Sequence, residues 1–334
     1  DETLDALKVQ RLRGGIPIPK IENIRPHMKR IEIGADLNGH ELAQVTRVLT
    51  TTSEVNRFID DLVEGELEFV RLYDWAKQLT HLPELTRRLR IAIDEDGRVT
   101  DDASDALRQI RSQIRRSEQS IRETLDGLIR GNQARYLSDA IVTMRNERYV
   151  IPVKHEYRSM FGGVVHDQSA SGQTLFIEPK QIVELNNRLR QHQIAEKNEI
   201  TRILSELSAA LVPARKEIIH NAFVIGKFDF MNAKARFAKA IKGVVPAINA
   251  QNYVVFKQAR HPLIAMEKVV ANDIVIGKDY QAIVITGPNT GGKTITLKTL
   301  GLLQLMGQSG LPLPVAQESQ MGIFKEVFAD IGDE

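Results

Sequence analysis

One stretch of the chain combines glycines, a lysine and a threonine at a spacing that suits phosphate binding. Residues 287–294 read Gly-Pro-Asn-Thr-Gly-Gly-Lys-Thr and fit the pattern G-x-x-x-x-G-K-[ST] at every fixed position. Glycines let such a loop curl so that backbone N–H groups converge on phosphates, and a helix that follows adds partial positive charge. We expect Lys293 to reach the β- and γ-phosphates of a nucleoside triphosphate and the Thr294 hydroxyl to bind Mg²⁺. The residues expected to hold the nucleotide are Gly287, Pro288, Asn289, Thr290, Gly291, Gly292, Lys293 and Thr294.

The segments on either side of this loop supply the context that a phosphate loop needs. Residues 282–286 are almost continuously apolar, which predicts a strand buried on both faces. A helix is predicted from residue 293 to about residue 308, and further strands at 253–256 and 273–276. The loop is therefore expected to follow a strand and to open a helix.

The chain before residue 246 is mainly helical by its apolar periodicity. Helices are predicted at 40–64, 66–77, 102–129, 180–211 and 214–241. Short strands at 149–153, 163–165 and 174–177, separated by turn-forming residues, predict a small antiparallel insert at about 136–178.

The composition is that of an ordinary globular protein. Hydrophobic residues make up 42% of the 334 residues and charged residues 26%, and no apolar run approaches the roughly 18–20 residues that span a bilayer. Cysteine is absent, which excludes disulfides, thiolate zinc sites and cysteine nucleophiles. With no leader-like stretch at residues 1–5, we expect a cytoplasmic protein without a membrane segment.

A net charge of +2 does not by itself indicate nucleic-acid binding. The helix at 102–129 nevertheless carries a row of arginines with no acidic residue between Asp105 and Glu118. This row consists of Arg108, Arg111, Arg115, Arg116 and Arg122. It could follow a phosphate backbone, or it could be an ordinary solvated helix surface.

The histidines do not show the spacing of a metal site. His166 and Asp167 could suggest acid–base chemistry, but the turn-forming residues 169–172 beside them favour a structural role.

The phosphate loop resembles that of the MutS ATPases, which belong to the ABC-type ATPase superfamily. Residues 259–263 (Ala-Arg-His-Pro-Leu) resemble the start of their nucleotide domain, and 271–273 (Ala-Asn-Asp) resemble the segment before the loop. Thr290 and Thr294 favour the second bacterial branch, the MutS-two proteins. The stretches at 34–37, 94–111, 148–154 and 165–179 are similar to the core domain of that branch. The resemblance covers the chain from about residue 14 onward.

The resemblance implies an α+β multidomain protein that uses ATP and Mg²⁺. The expected parts are an N-terminal helical part of the core at 1–95, a core or lever domain at 96–245, and the first part of an ABC-type α/β P-loop ATPase domain at 246–334. It further implies a homodimeric clamp on nucleic acid, either branched DNA, where it suppresses homologous recombination, or collided ribosomes and their rRNA, which it rescues. Family members also carry a clamp and a C-terminal endonuclease domain, which we do not find in this sequence.

Two features depart from the family pattern. Val269 stands where mismatch-repair members have a phenylalanine that stacks on adenine. The apolar run before Asp333 and Glu334 is broken by Asp330 and Gly332, so we expect no Walker B carboxylate here. No catalytic residue is therefore assigned, and we expect a fragment that binds ATP without efficient hydrolysis.

Two other classes of protein also contain phosphate loops. Another ABC-type ATPase of DNA recombination or repair would need a far longer helical hairpin inside its ATPase domain, whereas the helices here precede the loop. A small-molecule P-loop kinase usually begins with the loop, whereas about 286 residues precede it in this chain.

Overall fold

The computed structural model describes residues 1–287 and 292–330 and shows a mixed helix-and-sheet architecture. Its α-helices are α1 Glu2–Arg13, α2 Arg25–Glu32, α3 Gly39–Glu64, α4 Arg71–Ala76, α5 Pro83–Ala92, α6 Asp105–Arg130, α7 Arg158–Phe161, α8 Lys180–Leu211, α9 Arg215–Ile241 and α10 Lys293–Gln308. Its strands are β1 Thr143–Arg145, β2 Arg148–Lys154, β3 Val164–Gln168, β4 Thr174–Glu178, β5 Ala247–Asn249, β6 Val254–Ala259, β7 Asn272–Ile276 and β8 Gln320–Gly322.

The chain forms two compact units, and each is made of separate stretches of sequence. The first unit contains residues 1–22, 47–81 and 216 onward, and the second contains 23–46 and 82–215. The domain boundaries expected at 95/96 and 245/246 stay a prediction.

The second unit is built on the long helices α6 and α8, which pack against each other along their length in antiparallel directions. Ser104 caps α6, since its Oγ accepts a hydrogen bond from the Leu107 amide at 3.0 Å. Gly131 follows the last residue of the helix as its C-terminal cap. The apolar stripes of the two helices and one face of a small sheet then enclose a common core that includes Ile121, Leu125, Ile151, Ile177 and Leu189.

The sheet of this unit confirms the predicted antiparallel insert between the long helices. Its strand order is β1-β2-β4-β3, and every pairing is antiparallel. β1 and β2 are joined by Asn146 and Glu147, whose φ angles of 49° and 60° are those of a tight primed turn. Gly163 precedes β3 with φ +81°, and a Cβ there would lie 1.9 Å from the Glu178 carbonyl oxygen.

Among the described residues of the first unit, apolar side chains form clusters that hold its helices and its sheet. One joins α1, α3, α4 and α9 through residues such as Val9, Leu62, Leu72 and Phe228. Another lies between α10 and a four-stranded sheet of order β5-β8-β6-β7, in which β5 and β8 are parallel and the remaining pairs are antiparallel.

The predicted strand at 282–286 is wrong. These residues form no strand, and Val284 is 87% exposed. A continuously apolar strand is stable only between neighbouring strands that pair with its backbone, and no described strand pairs with this segment.

The helix predicted at 66–77 is shorter than expected and spans only Arg71–Ala76. Glu66 has φ +53°, so it ends the turn that closes α3 and cannot begin a new helix. Within the described ranges, the structure contains no helix that is long and apolar enough to cross a membrane.

Candidate functional site

The two ends of the predicted phosphate loop have backbone conformations that favour glycine. Gly287 has φ +144° and Gly292 has φ +79°, which L-amino acids with side chains rarely adopt. Gly292 is the N-terminal cap of α10, so the chain turns sharply into the helix at this point. The intervening residues of the predicted site, Pro288, Asn289, Thr290 and Gly291, lie outside the described residues.

Lys293 and Thr294 are the first two residues of α10. The first N–H groups of a helix lack acceptors within the helix, and the helix dipole places partial positive charge beside them. The first turn carries no acidic side chain, and Thr294 is exposed. The start of α10 is therefore compatible with an anionic ligand, and Lys293 would add a full positive charge.

The hairpin of β6 and β7 contains the two other segments that resemble the family. The Gln258 amide, at a bulge with φ +50°, donates a hydrogen bond to Asp273 Oδ1 at 2.8 Å. This bond, together with the Lys257 ammonium 3.3 Å from Oδ2, lowers the pKa of Asp273. Asp273 is thus held ionised by the hairpin itself. His261 Nδ1 accepts a hydrogen bond from the Leu263 amide at 3.3 Å, which fixes the turn after β6.

A cavity of about 1060 Å³ lies beside α10 and is lined in large part by apolar groups. Leu297 and Leu305 of α10 are about half exposed, and Phe328 of the segment after β8 is 86% exposed. Asp330 lines the same cavity, whereas Asp333 and Glu334 lie outside the described residues. Val269 is half-buried in a turn after β6, and its relation to an adenine base stays a prediction.

The arginine row on α6 is partly neutralised. Arg108 pairs with Asp102 at 2.8 Å and Asp105 at 2.9 Å. Arg111 pairs with Asp101 and with Glu196 of α8, both at 2.7 Å, and this raises its pKa in spite of its burial. Arg115 Nη1 lies 3.5 Å from the same Asp101.

The other two arginines of the row, Arg116 and Arg122, are exposed and form no ion pair with any residue in the described ranges. Phosphate contact from the row stays a prediction. Arg116 and Arg122 are the members of the row whose positive charge is not offset by a described acidic side chain.

A buried ionic cluster in the second unit could not be found from the sequence. The Glu178 side chain is 2% exposed and receives hydrogen bonds from Arg148 Nη1 at 3.0 Å and Asn186 Nδ2 at 2.8 Å. His166 Nε2 lies 2.6 Å from its other oxygen. These partners come from β2, β3 and α8, so strand pairing and the packing of α8 on the sheet bring them together. Asp167 instead pairs with Arg145 at 3.0 Å. Both contacts agree with the structural role expected for His166 and Asp167.

No group of three or more histidine and acidic side chains within residues 1–287 and 292–330 is arranged to hold a metal ion.

The sequence aligns along its whole length with bacterial proteins named endonuclease MutS2. It is 76% identical to the protein of Enterococcus faecalis, 60% identical to that of Latilactobacillus sakei and 51% identical to that of Pediococcus pentosaceus. The chain spans 42% of the length of each of these relatives. No protein-family model matches the chain. With 76% identity over all 334 residues, and in agreement with the resemblance seen in its motifs, the chain belongs to the MutS2 family.

Proposed function

We propose that the protein containing this chain is an ATP-dependent enzyme of the MutS2 type that acts on nucleic acid. The nucleotide would bind at Gly287–Thr294 with Mg²⁺ as its metal ion. The observation that carries this proposal is the start of α10, where Gly292 in a left-handed conformation leads directly into Lys293 and Thr294.

Each residue of this segment has a distinct part in the proposed binding. The first amides of α10 would donate to phosphate oxygens, and the Lys293 ammonium would neutralise the charge shared by the β- and γ-phosphates. The exposed Thr294 hydroxyl would be a ligand for Mg²⁺, which offsets the remaining phosphate charge.

The finer proposal concerns the whole protein, of which the chain covers a part. It is a homodimeric clamp on branched DNA, collided ribosomes or both, which suppresses homologous recombination and rescues stalled ribosomes. Support comes from the family membership and from the relatives' name, which describes an endonuclease. The nuclease activity would belong to a part of the protein outside this sequence.

The nucleotide proposal is tested by Lys293→Ala. Loss of the ammonium should weaken ATP binding at least about tenfold and leave AMP binding nearly unchanged, because AMP lacks the β- and γ-phosphates. Isothermal titration of both nucleotides in the presence of Mg²⁺ measures the two affinities.

Lys298→Ala is the matched control, because Lys298 is an exposed lysine farther along the same helix. It should leave both affinities unchanged. Equal weakening of ATP and AMP by Lys293→Ala would contradict the assignment of this residue to the terminal phosphates.

The nucleic-acid proposal is tested with the intact protein by comparing its affinity for branched DNA, linear duplex and ribosomes in gel-shift and sedimentation assays. Preference for a junction or for paired ribosomes would support the corresponding role. Absence of binding to all three would refute the nucleic-acid part of the proposal and leave the nucleotide part standing.

A further inference from the structure

A groove of the first unit contains apolar side chains that stay exposed although they adjoin its core. The groove lies where α1, the end of α3 and the start of α4 meet, and it has a volume of about 760 Å³. Leu4, Val63 and Val70 line it, and each is more than half exposed. The buried Phe69 ring and the half-buried Tyr73 ring line it as well. Exposed apolar side chains gathered in one groove are typical of surfaces that bind another protein.

The rim of this groove is negatively charged. Residues 60–68, which include the end of α3, contain acidic side chains and no basic one. Glu66 and Glu68 line the groove, are exposed, and form no ion pair with any residue in the described ranges. Lys8 also lines it, but its ammonium donates to the Glu68 carbonyl oxygen at 2.6 Å and lies 4.9 Å from the centre of the Phe69 ring. A complementary surface would therefore combine apolar side chains with positive charge.

Helix α9 of the same unit carries such a surface. It buries one face in the core through residues such as Val224 and Phe228, whereas Phe223 and Phe230 are nearly half exposed. These two rings are seven residues apart, which is nearly two helical turns, so they lie on one side of the helix. Lys227 lies on the same side, and its Nζ is 5.5 Å from the centre of the Phe223 ring.

This side of α9, which we call the aromatic stripe, is positively charged. Lys216 precedes Phe223 by seven residues and therefore extends the stripe with Lys227. Neither lysine forms an ion pair with a residue that the structure describes. Glu217 and Asp229 are the acidic residues of α9, and its basic residues outnumber them.

The groove and the aromatic stripe adjoin each other at α4. Tyr73 lines the groove, and Trp75, two residues later, packs edge-on against Phe223 with the ring centres 6.0 Å apart. Lys227 Nζ also lies 5.3 Å from the centre of the Trp75 ring. One surface thus has an acidic apolar half beside a basic aromatic half. Such a surface is complementary to itself after a twofold rotation about an axis near α4.

We propose that this surface is an interface between two copies of the protein. The groove of one copy receives the aromatic stripe of the other, and the twofold axis repeats the same contact a second time. Aromatic rings supply the apolar area that interface cores favour, and the opposite charges around them set the register of the two copies. The inference rests on the homodimer part of the proposed function and names a surface for it.

Site-specific photo-crosslinking of the intact, purified protein tests which molecule fills the groove. The photoreactive amino acid p-benzoylphenylalanine replaces Val63, whose side chain lines the groove. Irradiation should give a covalent dimer on a denaturing gel, and mass spectrometry should map the second attachment point to residues 216–241. The same replacement at Glu54 is the control, because Glu54 is an exposed residue of α3 that does not line the groove. It should give no covalent dimer.

Charge exchange tests the pairing of the two halves by sedimentation equilibrium. Lys227→Glu and Glu66→Lys should each raise the dissociation constant of the dimer at least about tenfold, because a twofold axis makes each substitution act twice. The double variant Lys227→Glu/Glu66→Lys should recover most of the affinity, since opposite charges face each other again. Lys239→Glu is the matched control and should change nothing, because this exposed lysine lies nine residues after Phe230 and so on the opposite side of α9.

The outcomes separate this interface from the homodimer on which it rests. A wild-type dimer that gives no crosslink from position 63 to the other copy, and that the charge variants leave unchanged, would overturn the interface and keep the homodimer. A crosslink within one copy, to a part of the protein outside this sequence, would show that the protein covers its own groove and would likewise overturn the interface. A wild-type protein that stays monomeric at every concentration would overturn both. Equal melting temperatures of the variants would show that all of them fold.

Discussion

The buried carboxylate of Glu178 should be one of the strongest single contributors to the stability of the second unit. Glu178→Gln keeps the shape of the side chain but removes its charge and replaces one acceptor oxygen with a donor NH₂ group. The amide oxygen can still accept from one partner. The new NH₂ group then faces at least one of the donors that Arg148, His166 and Asn186 direct at this position.

The magnitude follows from the geometry of the cluster. Each hydrogen bond to a charged group is worth about 1.5–3 kcal/mol, and breaking a buried ion pair on one side costs about 3–5 kcal/mol. Arg148 is 24% exposed and His166 is 16% exposed, so both can recover part of their hydration. We expect Glu178→Gln to lower the free energy of unfolding by about 3 kcal/mol, or the melting temperature of the unit by roughly 10 °C.

The assay is urea unfolding followed by far-ultraviolet circular dichroism, which reports all the helices, the long α6 and α8 among them. Tryptophan fluorescence is recorded in parallel, because the single tryptophan, Trp75, lies in the first unit and so reports on that unit. The matched control is Glu184→Gln on α8, because Glu184 and its partner Arg188 are both highly exposed. This control should cost less than about 0.5 kcal/mol.

The reasoning would be refuted if Glu178→Gln and Glu184→Gln shifted the dichroism transition by the same small amount. That result would mean that the hydrogen bonds around Glu178 only balance the cost of burying its charge. A full loss of folding would instead be followed up with His166→Gln, which removes one partner and should cost about 1–2 kcal/mol.

Two further predictions concern the helical parts of the two units. Asn232→Ala should cost about 2–3 kcal/mol in urea unfolding monitored by Trp75 fluorescence, because the amide bonds both backbone groups of Ile16, at 2.9 Å and 2.8 Å. Hydrogen bonds from Arg202 and Ser104 lower the pKa of Glu199 to about 2, from an ordinary value of 4.5. The stabilisation is therefore complete above about pH 4.5 and is lost as the pH falls towards 2. After solvent screening it is about 1 kcal/mol, so the stability difference between wild type and Glu199→Gln should shrink between pH 5 and pH 3. A difference that stayed constant over this range would contradict the assignment.

The local pattern of the sequence was sufficient for the long helices and the antiparallel insert. Periodic apolar residues predicted α3, α6, α8, α9 and α10 to within about three residues at their ends, since an amphipathic stripe and its caps lie within the helix itself. Strands β2, β3 and β4 of the insert were also predicted, because turn-forming residues separate short apolar runs, whereas β1 was not predicted. The glycines at both ends of the phosphate loop were recognisable for the same local reason.

Other features depend on residues that are distant in the sequence. The start of α4 is capped by Asp5, whose carboxylate accepts from the Arg71 and Leu72 amides at 2.7 and 2.9 Å, so no pattern within residues 66–77 could place it. The sequence left Arg111 as either a phosphate contact or a solvated surface residue. The turn before α6 places Asp101 beside it, and the packing of α6 on α8 brings Glu196 to it.

The segment at 282–286 shows that a strong local preference is not sufficient for a strand. Its apolar residues have a high propensity for the strand conformation. A strand forms, however, only where another backbone is present to pair with it. Propensity, capping and periodicity are properties of a short stretch of chain and could be predicted from it. Ion pairing, long-range capping and strand pairing require two stretches to meet, and only the tertiary structure decides which ones do.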